Sequence, residues 1–303
     1  MDSNLDADLG KPLATRTGTS VRSAPAAMTA ESSTTQPEAR WGSAAIDPRG
    51  FNLPALKVSY LLSRLPETGR VLEVGSGDGK MLRTVLNERP GLTLHGCDVR
   101  DSSLRPQETE FRVLTRDLPY PAETFDAVFV ADVLEHVSEP PHLVAEIARV
   151  LKPHGRFVGF VPIEGEPRSA YTLYRKLLGA DLYERTKHHV QAYTRADIRR
   201  LLLAEFELAD MRFAYHALGH VLDASFFALA SLRRIERFWW SENKYYAPER
   251  TRQGPLAFLL NRLLELGNAL AYFESRALEQ SSFAAAGVLF DARRAALPHA
   301  ASH

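Results

Sequence analysis

Between Arg70 and Lys80 the chain reads RVLEVGSGDGK: a short apolar run, an acid, and three glycines at alternate positions. No other stretch restricts the fold as strongly. Val71, Leu72 and Val74 suit a strand buried on both faces, as the strands of a parallel sheet are. Gly75, Gly77 and Gly79 follow at once, and a backbone without Cβ can take positive φ, turn sharply into a helix and let a ligand approach main-chain atoms. A helix from Lys80 to about Arg89 would aim its first N–H groups back at that ligand. The spacing is G-x-G-x-G after an acid, not the G-x-G-x-x-G of dinucleotide folds. A tight strand-to-helix turn without a ligand is the plainer alternative.

The next apolar run, Leu92 to Asp98, ends in an acid 21 residues beyond Gly77. A right-handed crossover brings the carboxyl end of a second strand beside the first, so Asp98 is expected to offer two acceptor oxygens to the ribose of a nucleoside cofactor; the alternative is a solvated loop acid. Phe111–Thr115, Ala127–Ala131 and Arg156–Val161 read as further strands. A helix carrying Leu143, Val144, Ile147, Val150 and Leu151 opens near Ser138, Pro140 and Pro141, with Ser138 as its cap. Upstream, the spacing of Phe51, Leu53, Leu56, Tyr60 and Leu61 predicts a helix within Pro48–Leu65; downstream, helices are expected at Tyr171–Leu178 and, capped by Thr194, at Arg195–Ala204.

With 37 basic and 37 acidic residues in 303, the formal net charge is zero, which disfavours nucleic acid as a partner. Cys97 is the only cysteine, so there is no intrachain disulfide and no cysteine zinc site; this fits a reducing compartment. No apolar run reaches 18 residues, and the start lacks the basic-then-apolar layout of a secretion signal, so a cytoplasmic protein is expected, with peripheral membrane contact as an open alternative. Residues 1–42, rich in Ser, Thr, Ala, Pro and Gly, are expected to be a disordered tail, as are 296–303.

Glu73-Val74-Gly75-Ser76-Gly77-Asp78-Gly79 resembles the signature loop of class I S-adenosylmethionine-dependent methyltransferases. The block Asp117-Leu118-Pro119-Tyr120-Pro121 resembles their adenine-side segment, and the LEHV, ARVLKPHG and RFVGFVP runs resemble the type 11 methyltransferase family over residues 68–210. His154 departs from that pattern, which usually has glycine there. The resemblance implies an α/β fold: a Rossmann-like seven-stranded mixed sheet with helices on both faces. It also implies S-adenosyl-L-methionine as cofactor. It points to Glu73, Gly75, Ser76, Gly77, Gly79, Asp98, Val99, Asp117, Leu118 and Asp132 as cofactor-binding residues. Glu73 is assigned to the cofactor's ammonium, Asp117 to the adenine amino group and the Leu118 N–H to a ring nitrogen.

The domain is expected over 43–216 and 281–295, closed by a strand at Ala286–Ala292. Residues 217–280 form a helical insertion between the last two strands. There Leu218, Leu222, Phe226, Leu229 and Leu232 share one helix face, which ends near Trp239 and Trp240. Leu256, Leu259, Leu263, Leu266, Leu270 and Phe273 make a seam on a second helix, with Leu260 and Leu264 widening it. The insertion could complete the core, form a homodimer, cover a small hydrophobic or lipid-like acceptor, or touch a membrane interface with Trp239, Trp240, Tyr245 and Tyr246.

The sulfonium already makes the methyl group electrophilic, so alignment and exclusion of water do most of the work. For a hydroxyl acceptor a base helps, and His188, His189 and His136 are the catalytic candidates; each could equally be structural. Asp132 and Glu135 could orient the acceptor. The histidines lack metal-ligand spacing on a helix, so no metal is expected. The expected activity is methyl transfer; the rivals are a non-catalytic S-adenosylmethionine-binding protein whose insertion binds a partner, and a nicotinamide oxidoreductase, which the glycine spacing disfavours.

Overall fold

The computed structural model describes residues 44–167, 169, 171, 176, 189–230 and 255–295. Both expected tails, most of a helix expected at Tyr171–Leu178, His188, Leu232 and the Trp239, Trp240, Tyr245 and Tyr246 end of the insertion lie outside the described residues.

Helix α1 (Leu53–Leu62) starts where the Asn52 side chain accepts the Ala55 N–H, and Pro54 tolerates the first turn because its missing N–H has no helical partner there. Strand β1 (Gly69–Val74), helix α2 (Lys80–Glu88), and strands β2 (Leu92–Asp98), β3 (Glu110–Val113) and β4 (Phe125–Ala131) follow. A single 3-10 turn, Leu134–His136, leads to α3 (Pro140–Val150), β5 (Leu151–Pro162), α4 (Arg195–Leu203) and β6 (Phe206–Ala214). The helices α5 (Ala217–Ala230) and α6 (Pro255–Ala277) precede β7 (Gly287–Arg294).

The seven strands form one sheet in the order β3-β2-β1-β4-β5-β7-β6. The pairs from β3 to β5 are parallel, while β7 runs antiparallel to both β5 and β6. This is the expected mixed sheet. Alternation along each strand divides the core in two: Leu72, Val74, Val128 and Val130 pack with Leu143, Ile147, Ile198 and Leu202 under α3 and α4. Val71, Ala127, Phe129 and Val158 pack with Leu56, Leu61, Leu82 and Val85 under α1 and α2. Both faces are covered, which is why these strands read as unbroken apolar runs.

Two boundaries differ from expectation. β5 begins at Leu151 rather than Arg156: Phe125 pairs with Leu151 and Ala127 with Arg156, so residues 152–155 bulge out opposite Asp126. His154 sits in that bulge at φ 62°, the left-handed region that favours glycine. The second difference is the α3 cap, which is Glu139 rather than Ser138 and makes no side-chain hydrogen bond. By contrast Thr194 caps α4 as expected, in a reciprocal pair with Asp197.

The insertion is helical, but its polarity is reversed. Leu259, Leu263, Leu266, Leu270 and Phe273 of α6 are each between 51% and 59% exposed, whereas Asn261, Ala271 and Ser275 are buried. On α5, Leu218 and Val221 are exposed while His220 and Ala224 are buried, as is His216 just before the helix. The α6 seam was a candidate for packing on α5 or on the domain; instead small and polar residues make that contact. The Ser275 hydroxyl accepts the Tyr215 N–H at 3.1 Å, Glu274 accepts the Leu218 N–H at 2.8 Å, and a side chain at Gly267 would press on Leu222.

Candidate functional site at the carboxyl edge of the sheet

β1 ends beside β2, and the loop between β1 and α2 is stitched to β2 by its own backbone. The N–H groups of Gly75 and Ser76 both donate to the Cys97 carbonyl, and the Gly77 N–H donates to Asp98 Oδ2 at 2.9 Å. Gly75 has φ 77°, and a Cβ there would lie 2.5 Å from Val133. Gly77, also at positive φ, has nothing within 4 Å of the Cβ position, so its outer side is open for a ligand. Asp78 serves the turn, accepting the Ser102 hydroxyl at 2.7 Å.

Glu73, at the middle of this floor, is only 3% exposed and its Oε2 has no hydrogen-bond partner. Burial, reinforced by the nearby Asp98 charge, pushes its pKa well above the usual carboxylate value. A buried acceptor left unmatched beside an open glycine turn is what a cationic ligand group would complete. The buried Ser76 hydroxyl also lacks a partner. Asp98 spends one lone pair on Gly77 and another on the Arg100 N–H at 3.2 Å, leaving acceptor capacity on both oxygens. Val99 is half exposed next to it.

The adenine-side block is held by helix α3. Asp117 turns outward to His142 Nε2 at 2.9 Å, and the Leu118 N–H, expected to meet a ring nitrogen, donates to Glu146 Oε2 at 2.9 Å. Arg149 clamps that carboxylate and holds its pKa low. The backbone that does lie against the ribose edge is Leu114, whose N–H donates to the Asp98 carbonyl at 2.8 Å.

The other half of the site gathers at the ends of β4 and β5. Asp132, at φ 56°, accepts from Lys57 Nζ at 2.5 Å. Burial by itself would lower the Lys57 pKa, but the charges of Asp132 and Tyr215 outweigh it and raise the value. The same ammonium lies 4.2 Å from the Phe160 ring centroid. Glu135 is 1% exposed, while its main-chain carbonyl accepts the N–H groups of Val190 and Gln191 at 2.9 and 3.0 Å. That ladder brings His189 to His136: their rings stand 4.9 Å apart at 77°. Glu164, from the segment after β5, contacts His189 Nδ1 at 2.9 Å. A ligand atom from each of Glu135, His136 and His189 falls within 4.8 Å of the others. The expectation of no metal rested on helical spacing, which cannot register groups meeting from positions more than 50 residues apart.

α5 closes the site with a polar stripe. His220 Nε2 lies 3.2 Å from the Ser169 hydroxyl, and the Tyr171 hydroxyl donates to Asp223. Burial, then the charge of Glu164, pushes the Asp223 carboxyl up to about 8. Lys57, Glu164, Tyr171, His220 and Asp223 were not singled out from the sequence. Two signals were available: a lysine amid the buried face of α1, and His216, His220 and Asp223 at i, i+4 and i+7 in an otherwise apolar helix.

A parallel sheet, an acid-glycine turn at its carboxyl edge and an acid at the end of the second strand define a nucleoside-cofactor α/β protein. Comparison with known proteins narrows this. The methyltransferase domain family matches residues 72–159. A ubiquinone biosynthesis O-methyltransferase from Xanthomonas oryzae pv. oryzae is 30% identical over 181 residues, 52% of this chain and 72% of that protein. A demethylmenaquinone methyltransferase from Tropheryma whipplei is 38% identical over 96 residues, 29% of this chain; the match spans only 39% of that relative's length. Among solved structures, the cyclase SpnF superposes with a TM-score of 0.51 at 18% identity, over 84% of this chain and 87% of that one, a likeness of fold. The chain belongs to the class I S-adenosylmethionine-dependent methyltransferases, in the type 11 family, and its cofactor is S-adenosylmethionine.

Proposed function

We propose that this protein methylates an oxygen on the polar head of a small, lipid-like acceptor. The observation that carries the reading is the His136–His189 pair, buttressed by Glu164 beside Asp132, where a hydroxyl nucleophile would need a route for its proton. Relatives named for ubiquinone, demethylmenaquinone and phosphatidylethanolamine methylation support a lipid-like acceptor.

On this reading Glu73 holds the cofactor's ammonium, the Gly75–Gly79 turn passes beneath its methionine portion, Asp98 takes the ribose hydroxyls, and Val99 and the β3 end flank the base. The bound cofactor supplies a methyl group on a sulfonium that leaves as a neutral thioether, so no acid is needed. Lys57 holds Asp132 in an ion pair at the edge where the two substrates meet. The acceptor oxygen would receive that methyl group, and His136 and His189 would promote loss of its proton. Tyr171, His220 and Asp223 wall the pocket, while the outward leucine seam of α6 rests against the apolar phase from which such an acceptor comes. The seam suits a lipid surface, and pairing with a second copy is the other use it would serve.

The test is transfer of labelled methyl from S-adenosylmethionine to a polyprenylated catechol, with calorimetric binding of S-adenosylhomocysteine in parallel. Transfer to oxygen is expected. Binding of the nucleoside with no transfer to any phenol would overturn the acceptor assignment, and no binding by folded protein would overturn the role of the glycine turn. A protein that binds the nucleoside and a protein partner, yet transfers nothing, would favour the non-catalytic reading.

A further inference from the structure

We propose that a cleft between α1, β6 and α6 binds the phosphate of an anionic phospholipid. Arg64, Arg212 and Arg276 line it with Ser59, Leu56 and Tyr272, and its volume is about 170 Å3. That is smaller than the roughly 300–1,000 Å3 of a pocket enclosing a whole ligand, so it takes a head group and leaves the rest outside. The three guanidinium groups come from separate segments and are held in place by carboxylates. Asp210 accepts from Arg64 Nη2 at 2.7 Å and from Arg212 Nε at 2.9 Å, and Glu279 accepts from Arg212 and, at 3.1 Å, from Arg276. Arg64 also lies 4.5 Å from the Tyr60 ring centroid. Each guanidinium carries five N–H donors, and those of Arg64 Nε, Arg212 Nη2 and Arg276 Nε and Nη2 make no hydrogen bond among the described residues. The ion-pair network sets Arg64, Arg156, Arg212 and Arg276 against Asp210, Glu279 and Asp291, a surplus of one positive charge that a phosphodiester would neutralise. Planar forks of N–H donors match phosphate oxygens in pairs, which favours phosphate over a spherical anion.

The rim of the cleft says what the phosphate is attached to. The Tyr272 ring meets Phe51 at 5.7 Å, and Phe51 stacks on Phe273 at 5.5 Å; Phe51 and Phe273 are both exposed. Phe273 is the last member of the outward seam, so the cleft adjoins one end of an apolar ridge that runs back to Leu259, about 21 Å along α6. A phospholipid with its head in the cleft and its acyl chains along the ridge satisfies both surfaces, whereas a soluble phosphate ester leaves the ridge in water. Such a lipid would fix α1 and α6 at the phase from which the proposed acceptor comes. The choice of a lipid rests on the reading above that the seam meets an apolar phase; the affinity of the cleft for phosphate does not.

The experiment titrates the full chain by calorimetry with two soluble probes, glycerophosphoglycerol and dihexanoylphosphatidylglycerol below its micelle concentration. Flotation on phosphatidylcholine vesicles, with and without phosphatidylglycerol, runs in parallel. Both probes should bind saturably, the lipid at least about tenfold tighter, the worth of burying roughly two methylenes. Arg276→Gln should weaken both at least about tenfold, as loss of a charge-assisted hydrogen bond does. Arg262→Gln, at an exposed arginine elsewhere on α6, should leave the soluble probes unchanged and weaken vesicle binding no more than about fivefold, the worth of one basic residue near an anionic surface. Arg276 is exposed enough for its variant to fold, and S-adenosylhomocysteine binding and circular dichroism check each protein. No saturable binding of either probe by folded wild type, or equal losses in the two variants, would overturn the cleft. Equal affinity for the two probes would overturn the lipid and make the ligand a soluble phosphodiester. Flotation on neutral vesicles as strong as on anionic ones, or a dimer by light scattering that does not float, would also overturn it. Absent methyl transfer with intact probe binding would instead strike the acceptor reading alone.

Discussion

The central sheet and the α5–α6 pair bury opposite kinds of residue. In β1 and β4 the valines, Leu72 and Phe129 lie inside; Arg70 and Asp126 fall near the strand starts, and Glu73 is the one buried acid of the two strands. In the helical pair His216, His220, Asn261 and Ser275 lie inside, and Leu259, Leu263, Leu266, Leu270 and Phe273 lie outside. The sheet is stabilised by what it removes from water. The helices serve what they enclose and what they present. Periodicity reveals which residues share a face; it does not say which face turns inward, because that depends on a surface elsewhere in the chain.

The sharpest way to break this contrast is to make like substitutions in the two regions. Phe129→Ala should cost about 3–5 kcal/mol in urea unfolding, as cavity formation in a closed core does. Leu263→Ser with Leu266→Ser should change stability by no more than about 0.5 kcal/mol each, since exposed side chains lose little, while abolishing co-sedimentation with anionic liposomes. A large loss of stability there would mean that the seam is covered in solution, and light scattering on the same protein would then distinguish a dimer from a monomer.

Next in size is the cofactor loop. Asp98→Ala should weaken S-adenosylhomocysteine about 10- to 100-fold, the worth of a charge-assisted hydrogen bond, because Oδ2 also shapes the turn through Gly77. An unchanged affinity would remove Asp98 from the cofactor site.

The two regions should also titrate in opposite senses. Glu146 has its pKa lowered chiefly by the Arg149 hydrogen bond, so its contribution is present above the unfolded carboxylate value and is lost as pH falls through the folded one. Asp223 has its pKa raised from 3.8 to about 8, so its contribution is complete below about 4 and is lost as pH rises through 8. Asp223→Asn should therefore flatten the decline in unfolding free energy between about pH 4 and 8. Glu146→Gln should flatten only the acid limb, a smaller effect because this pair is partly exposed. An alkaline decline identical in wild type and Asp223→Asn would place the titrating group elsewhere.

Much of the fold was legible in the chain because strand burial, glycine turns and caps are local. The Arg70–Lys80 stretch, the bounds of β2 and the Thr194 cap each follow from residues within a few positions of one another. Less of the site was legible. The turn and the crossover name Glu73 and Asp98, but the contacts of Asp117 with His142 and of the Leu118 N–H with Glu146 of α3 are ones that no spacing rule connects to them.

The sequence by itself determined the glycine turn and the apolar strands around it, since each rests on backbone preferences and on burial along single segments; the mixed sheet with its antiparallel closing strand was what the family resemblance implied. Tertiary structure alone decided that Lys57 would meet Asp132, that Glu135, His136 and His189 would converge, and that the leucines of α6 would face outward. Those outcomes depend on which surfaces the sheet and its crossovers bring within a few ångströms. Coulombic attraction, unmet hydrogen bonds and close packing of small residues act only after that proximity exists.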